Sequence, residues 1–166
     1  MFLTKQLFRE KYVYVTSCSV KEFKDDLQKL FNEKWYEFFV NLNGEFKTVN
    51  EFVITKKMTF THSSYGNSYT KLKGKINFYN NQTIINITVI PNPIVYVFTI
   101  IPPLVGILML YNCIIIDKEN QEEKLIVGIF FTLIVPIATA FYGQAAKNDL
   151  RKKFTEIFKL KNLQSA

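Results

Sequence analysis

The sequence predicts an α+β fold: a strand and a helix, an antiparallel β-meander, a hairpin of two transmembrane helices and a short amphipathic helix. Three observations carry this expectation. Residues 94–116 and 125–146 contain no Asp, Glu, Lys or Arg. Much of residues 11–90 is β-branched or aromatic and alternates apolar with polar. Residues 19–32, by contrast, repeat their apolar side chains at helical spacing.

The first strand is expected over residues 11–17 (KYVYVTS), where β-branched and aromatic side chains crowd together. Ser19 and Glu22 then form a capping box, in which the hydroxyl accepts from the third helical amide and the carboxylate reaches back. Phe23, Leu27, Leu30 and Phe31 line one side of the helix that follows, over residues 19–32.

Asn43-Gly44 is the dipeptide favoured by type I′ turns, so strands are expected at 35–42 and 45–49 around it. Residues 51–61 place Phe52, Ile54, Met58 and Phe60 on one face, and Lys56 breaks that face as a bulge or an end near water. A loop at 62–67 leads to a strand over 68–79, with Leu72, Gly74, Ile76 and Phe78 inward. Asn80-Asn81 is a second tight turn, and 82–90 returns to Pro91-Asn92-Pro93.

Crossing the hydrocarbon layer takes ~20 mostly apolar residues in a helix. Residues 94–116 supply 23, and the stretch beginning at Leu125 supplies 18 to 22. A soluble globule of this size has nothing else apolar enough to cover both. The implied organisation is a cytoplasmic α+β domain over 1–92 and a hairpin over 93–146. Its spans lie at about 94–116 and 125–144 around an external loop at 117–124, before a basic cytoplasmic tail over 147–166. Charge sets the orientation. The flanks carry net +5 and +4, and the loop between the spans carries −2. Excess Lys and Arg belongs on the cytoplasmic side, which puts both termini there and the protein in the cell membrane as a multi-pass chain. The basic excess therefore reads as a topology signal, and no nucleic-acid partner is expected.

Pro102, Pro103 and Pro136 interrupt the two spans and are expected to kink them. Thr99, Thr132 and Thr139 are candidate donors to the carbonyls that the prolines free. Neither span holds an acidic or basic side chain, which speaks against a proton relay, a transporter or a charged pore within one protomer. The start of the sequence lacks the apolar core of a signal peptide. Cys18 and Cys113 fall in different parts of the chain and are expected to be reduced.

Catalytic patterns are sparse, and no enzyme is expected. His62 is the one histidine, in a polar turn beside Ser63 and Ser64, with no further group to complete a nucleophile–base arrangement. The six glycines are scattered, so no phosphate-cradling loop forms from them. Asp25-Asp26 reads as a solvated pair, and neither metal nor cofactor is expected. Two basic features stand out. Lys71, Lys73 and Lys75 alternate outward on one strand, where they would protect an edge, meet water, touch anionic headgroups or bind a protein or nucleotide ligand. Arg151, Lys152 and Lys153 flank a stripe of Leu150, Phe154, Ile157 and Phe158, which would lie in the membrane interface or dock on the open face of the sheet. All six cations are candidate membrane-surface contacts.

Gly74, Ile76, Thr83, Ile85 and Ile87 form a hairpin of the type x-G-x-I … T-x-I-x-I that runs straight into an apolar pair. In this the chain resembles small bacterial two-pass inner-membrane proteins that are themselves uncharacterised. The resemblance covers residue 51 to the end of the first span and implies a topology without an activity. The function expected from all of this is a non-enzymatic integral membrane protein presenting an interaction or sensing domain at the inner leaflet. The alternative is an oligomerising effector that perturbs the bilayer when that domain is triggered. The lipid bilayer, anionic headgroups, a second copy and an unknown protein are the partners that follow.

Overall fold

The computed structural model describes residues 9–32, 42–56, 70–91, 93–115 and 121–163. They fall into two compact units: residues 9–91 with 146–163, and residues 93–145. The chain is α+β, as its patterning predicts.

In the first unit β1 (Glu10–Thr16) precedes α1 (Val20–Asn32), and β2 (Leu42–Thr48), β3 (Glu51–Lys56), β4 (Lys71–Tyr79) and β5 (Gln82–Ile90) follow. A two-residue β6 (Lys161–Asn162) returns from the carboxyl-terminal end. The sheet order is β2-β3-β4-β5-β1-β6 and every pairing is antiparallel. α1 begins with the expected box: Ser19 N–H donates to Glu22 Oε2 at 2.8 Å, and Glu22 N–H to Ser19 Oγ at 3.2 Å. Its apolar side chains Phe23, Leu27 and Leu30 are buried against the sheet, beside Phe52, Ile54, Leu72, Ile76, Ile85, Ile87 and Val89.

One helix about 10 Å across cannot cover five strands spaced about 4.8 Å apart. The second cover comes from the carboxyl-terminal end of a later helix. Leu150 and Phe154 belong to the same core, with the Phe154 ring 5.8 Å from Phe52 and 5.0 Å from Phe158. Phe158 in turn lies 5.1 Å from Phe23 of α1. The tail stripe therefore docks on the sheet, but on the face that α1 already occupies and not on the open one.

Three sequence expectations need correction. Asn43-Gly44 is not a turn: both lie inside β2, paired with Thr55 and Ile54, and neither has positive φ. The glycine is there for space. A Cβ at Gly44 would stand 2.3 Å from the Phe31 ring and 2.6 Å from the Val53 carbonyl oxygen. The reversal falls at Val49-Asn50 instead, where Glu51 N–H donates to Thr48 Oγ1 at 3.2 Å. Lys56 is the last residue of β3 but neither a bulge nor near water, because it pairs in register with Leu42 and its side chain is only 14 % exposed. Phe78 shares a face with Leu72 and Ile76 yet is 63 % exposed, since the β3–β4 ladder ends at Glu51↔Lys75 and the hairpin tip stands beyond it. That tip is the predicted tight turn, with Asn80 at φ 48° and Asn81 at φ 57°. The expected strand at 35–42, except Leu42, lies outside the described residues, as do Met58, Phe60, the 62–67 loop and His62.

The second unit pairs α2 (Pro93–Ile115) with a helix that begins as α3 (Gln121–Ile129). A π-helical stretch (Phe130–Ile134) links α3 to α4 (Val135–Ile157). Of α4, residues 135–145 belong to this unit. Both helices are long and apolar enough to cross a membrane, with mean hydropathy 2.2 for Pro93–Cys113 and 2.3 in Gln121–Ile157. Small residues bring them together: a Cβ on Gly106 would fall 2.3 Å from Thr132 Oγ1 and 2.7 Å from the Gly128 carbonyl oxygen.

The threonines near the prolines bond differently from expectation. α2 runs through Pro102 and Pro103. Before Pro136 the backbone widens, and Val135 N–H donates to the Phe130 carbonyl, five residues back. Thr99, Thr132 and Thr139 donate to the carbonyls of Val95, Gly128 and Val135, at 2.6, 2.7 and 2.7 Å. Those are their own i−4 acceptors, a back-bond that often bends a helix, and not the carbonyls that the prolines free.

Candidate functional site

The face of the sheet turned away from α1 carries many charged side chains. A shallow basin of ≈ 790 Å³ lies over it, lined by five lysines (Lys11, Lys47, Lys71, Lys73, Lys75) and two glutamates (Glu45, Glu51). Alternation along the strands puts these side chains there, because successive residues point to opposite faces. Leu72, Gly74 and Ile76 turn inward, so Lys71, Lys73 and Lys75 turn out and are exposed. The same alternation on β1 exposes Lys11, and on β5 it presents Asn86 and Thr88.

Register arranges them in rows. Lys73 of β4 is opposite Thr88 of β5, which is opposite Lys11 of β1. Two cations of the basin are neutralised: Lys75 Nζ lies 3.2 Å from Glu51 Oε1, and Lys47 pairs with Glu45. Lys11, Lys71 and Lys73 have no ion-pair partner among the described residues. Nor do Lys71 and Lys73 guard an edge, since β4 is the third strand of six.

The three tail cations sit elsewhere. Arg151 stacks over the Tyr12 ring, 4.4 Å from its centroid, on the helix-covered face. Lys153 lies 3.8 Å from Asp149, whose carboxylate also pairs with Lys56. Lys152 remains exposed, 3.9 Å from Glu156. The sequence-nominated cations are thus split between opposite faces of the sheet and form no single surface.

Beneath the tail helix lies a polar cluster that sequence reasoning missed. Lys147 has a side chain only 1 % exposed, with Nζ 2.7 Å from Glu10 Oε1. Tyr12 donates its phenolic proton to the other oxygen of Glu10. A signal existed: Lys147 falls on the stripe itself, at i−3 from Leu150 and i−7 from Phe154. Among the described residues no group of three or more His, Cys, Asp or Glu could hold a metal ion.

Burial, the hydrogen bond to Glu10 and that residue's charge push the Tyr12 phenol up to about 12, against a smaller pull from Arg151. Burial also raises Tyr14, with Arg151 opposing. Lys153 is lowered by burial and by Lys56, with Asp149 opposing. For Tyr12 the raised value means that the unfolded chain gives up its proton first. The stability contribution of the neutral phenol is complete below pH 10 and lost as pH rises through about 12. An alkaline titration of unfolding should show that limb, and Tyr12→Phe should flatten it.

Comparison with family models, curated proteins and solved structures finds no match to this chain.

Proposed function

We propose that this chain is a non-enzymatic integral membrane protein whose α+β domain serves as a recognition module at the inner face of a bacterial cell membrane. The observation that supports it most is the apolar surface of the second unit. In the most apolar stretch of each long helix only 11 % is buried within the fold, whereas the core helix of a soluble protein is mostly covered. Lipid is the solvent that would cover the rest. The charge asymmetry supports the orientation, with acidic residues between the spans and net positive charge on both flanks.

A chain of this kind resists alkaline carbonate extraction and floats with liposomes in high salt. A protease site inserted between Asp117 and Lys124 is cut from outside intact cells, and one added after Ala166 is cut only after lysis. Recovery of the chain in the soluble fraction without detergent would overturn the anchoring, and protection of the inserted site in intact cells would overturn the orientation.

A further inference from the structure

We infer that the open face of the sheet binds a soluble ligand of about nucleotide size carrying two or more phosphate groups, held by Lys11, Lys71 and Lys73 with Thr88 and Asn86 as neutral donors. The inference names a ligand for the recognition module proposed above and rests on that reading.

The register supplies the geometry. Lys73, Thr88 and Lys11 stand side by side on three neighbouring strands, so with strands about 4.8 Å apart two ammonium groups flank one hydroxyl. Lys71 lies two residues along β4 from Lys73, and Asn86 two residues along β5 from Thr88. Like charges crowded on one sheet face destabilise it. None of these three cations is ion-paired among the described residues, so that repulsion is not relieved by a carboxylate contact there. An anion with several charges would.

Donor chemistry favours phosphate. Lysine binds phosphate as a point charge on a flexible stem, needing no fixed fork of donors. The basin is lined by lysines and by no arginine. Its shape favours a soluble ligand over a bilayer surface. The donors line a concavity of ≈ 790 Å³, within the range of about 300–1,000 Å³ typical of small-molecule sites. The tail cations that a bilayer surface would also need are on the other face of the sheet.

Sodium tripolyphosphate is the probe. It is titrated calorimetrically into the full chain, held in phosphatidylcholine nanodiscs at low salt. Saturable binding at one site is expected. Lys11→Gln and Lys73→Gln should each weaken it about fivefold. Lys152→Gln removes the same charge from the other face and should leave it unchanged. All three variants alter exposed side chains, and unchanged thermal unfolding shows that the fold is kept. Absence of saturable binding, or equal weakening by all three variants, overturns the inference. So does Lys73-dependent binding to phosphatidylserine vesicles by a chain that ignores tripolyphosphate, which would assign the face to lipid. Incorporation into the nanodisc is read separately, so a chain that inserts but does not bind refutes the ligand and leaves the anchoring intact.

Discussion

Ending the chain at Ala146 is expected to unfold the sheet unit, although every strand from β1 to β5 lies before that point. Leu150 and Phe154 are 1 % and 0 % exposed and fill the core beside Phe52. Deleting a large buried apolar side chain costs about 2–5 kcal/mol. Two such losses rival the whole stability of a typical domain, about 5–15 kcal/mol. The truncation also removes Asp149 from Lys56 and Lys147 from Glu10, leaving charges without their partners. Phe154→Ala isolates the packing contribution, with an expected loss of about 3–5 kcal/mol. Phe154→Leu should lose less, because it keeps most of the volume. Thermal unfolding of the full chain in detergent, followed by the β-sheet circular dichroism signal, checks all three. A tail helix resting in a membrane interface would leave that transition unmoved by Phe154→Ala, and such a result would sink the docked arrangement.

The difference between the legible and illegible parts of this fold is one of sequence distance. α1 was readable because its stripe and its capping box, Ser19 with Glu22, are local patterns. The Asn80-Asn81 turn was readable because positive φ is a demand of the two residues themselves. Asn43-Gly44 carries the same kind of signature but answers to a different need, the closeness of the Phe31 ring, which no turn rule contains. The stripe of the tail was visible, and its destination was not. Nothing local says that a sheet already carrying α1 is too wide for one helix. For the basic face, the outward alternation of Lys71, Lys73 and Lys75 could be read directly. Their place on an interior strand follows from the meander, because β4 pairs with β3 and β5, but the return of β1 to pair with β5, more than 65 residues later in the chain, could not be read. Lys11 joins them only through that pairing.

Glu10→Ala is expected to be the most damaging single change outside the apolar core. Glu10 and Lys147 are separated by 137 residues and meet at 2.7 Å, with the lysine side chain 1 % exposed and the glutamate 19 %. A buried ion pair contributes little net stability, because desolvating both charges offsets their attraction. Removing one partner is different, since the other charge stays buried with less compensation, at a cost of up to about 3–5 kcal/mol. The burial difference gives the pair a direction. Glu10→Ala takes a carboxylate from the deeply buried ammonium and also takes the acceptor from Tyr12. Lys147→Met leaves the carboxylate nearer water and still hydrogen-bonded, so it should lose clearly less. In the double variant the buried charge is gone, and much of the loss caused by Glu10→Ala should return. Unfolding of the four chains under one set of detergent conditions gives the coupling directly. Additive losses would mean that the two side chains act independently, and the pairing of β1 with the tail helix would then have to rest on other contacts, such as Leu150, Phe154 and the stacking of Arg151 on Tyr12.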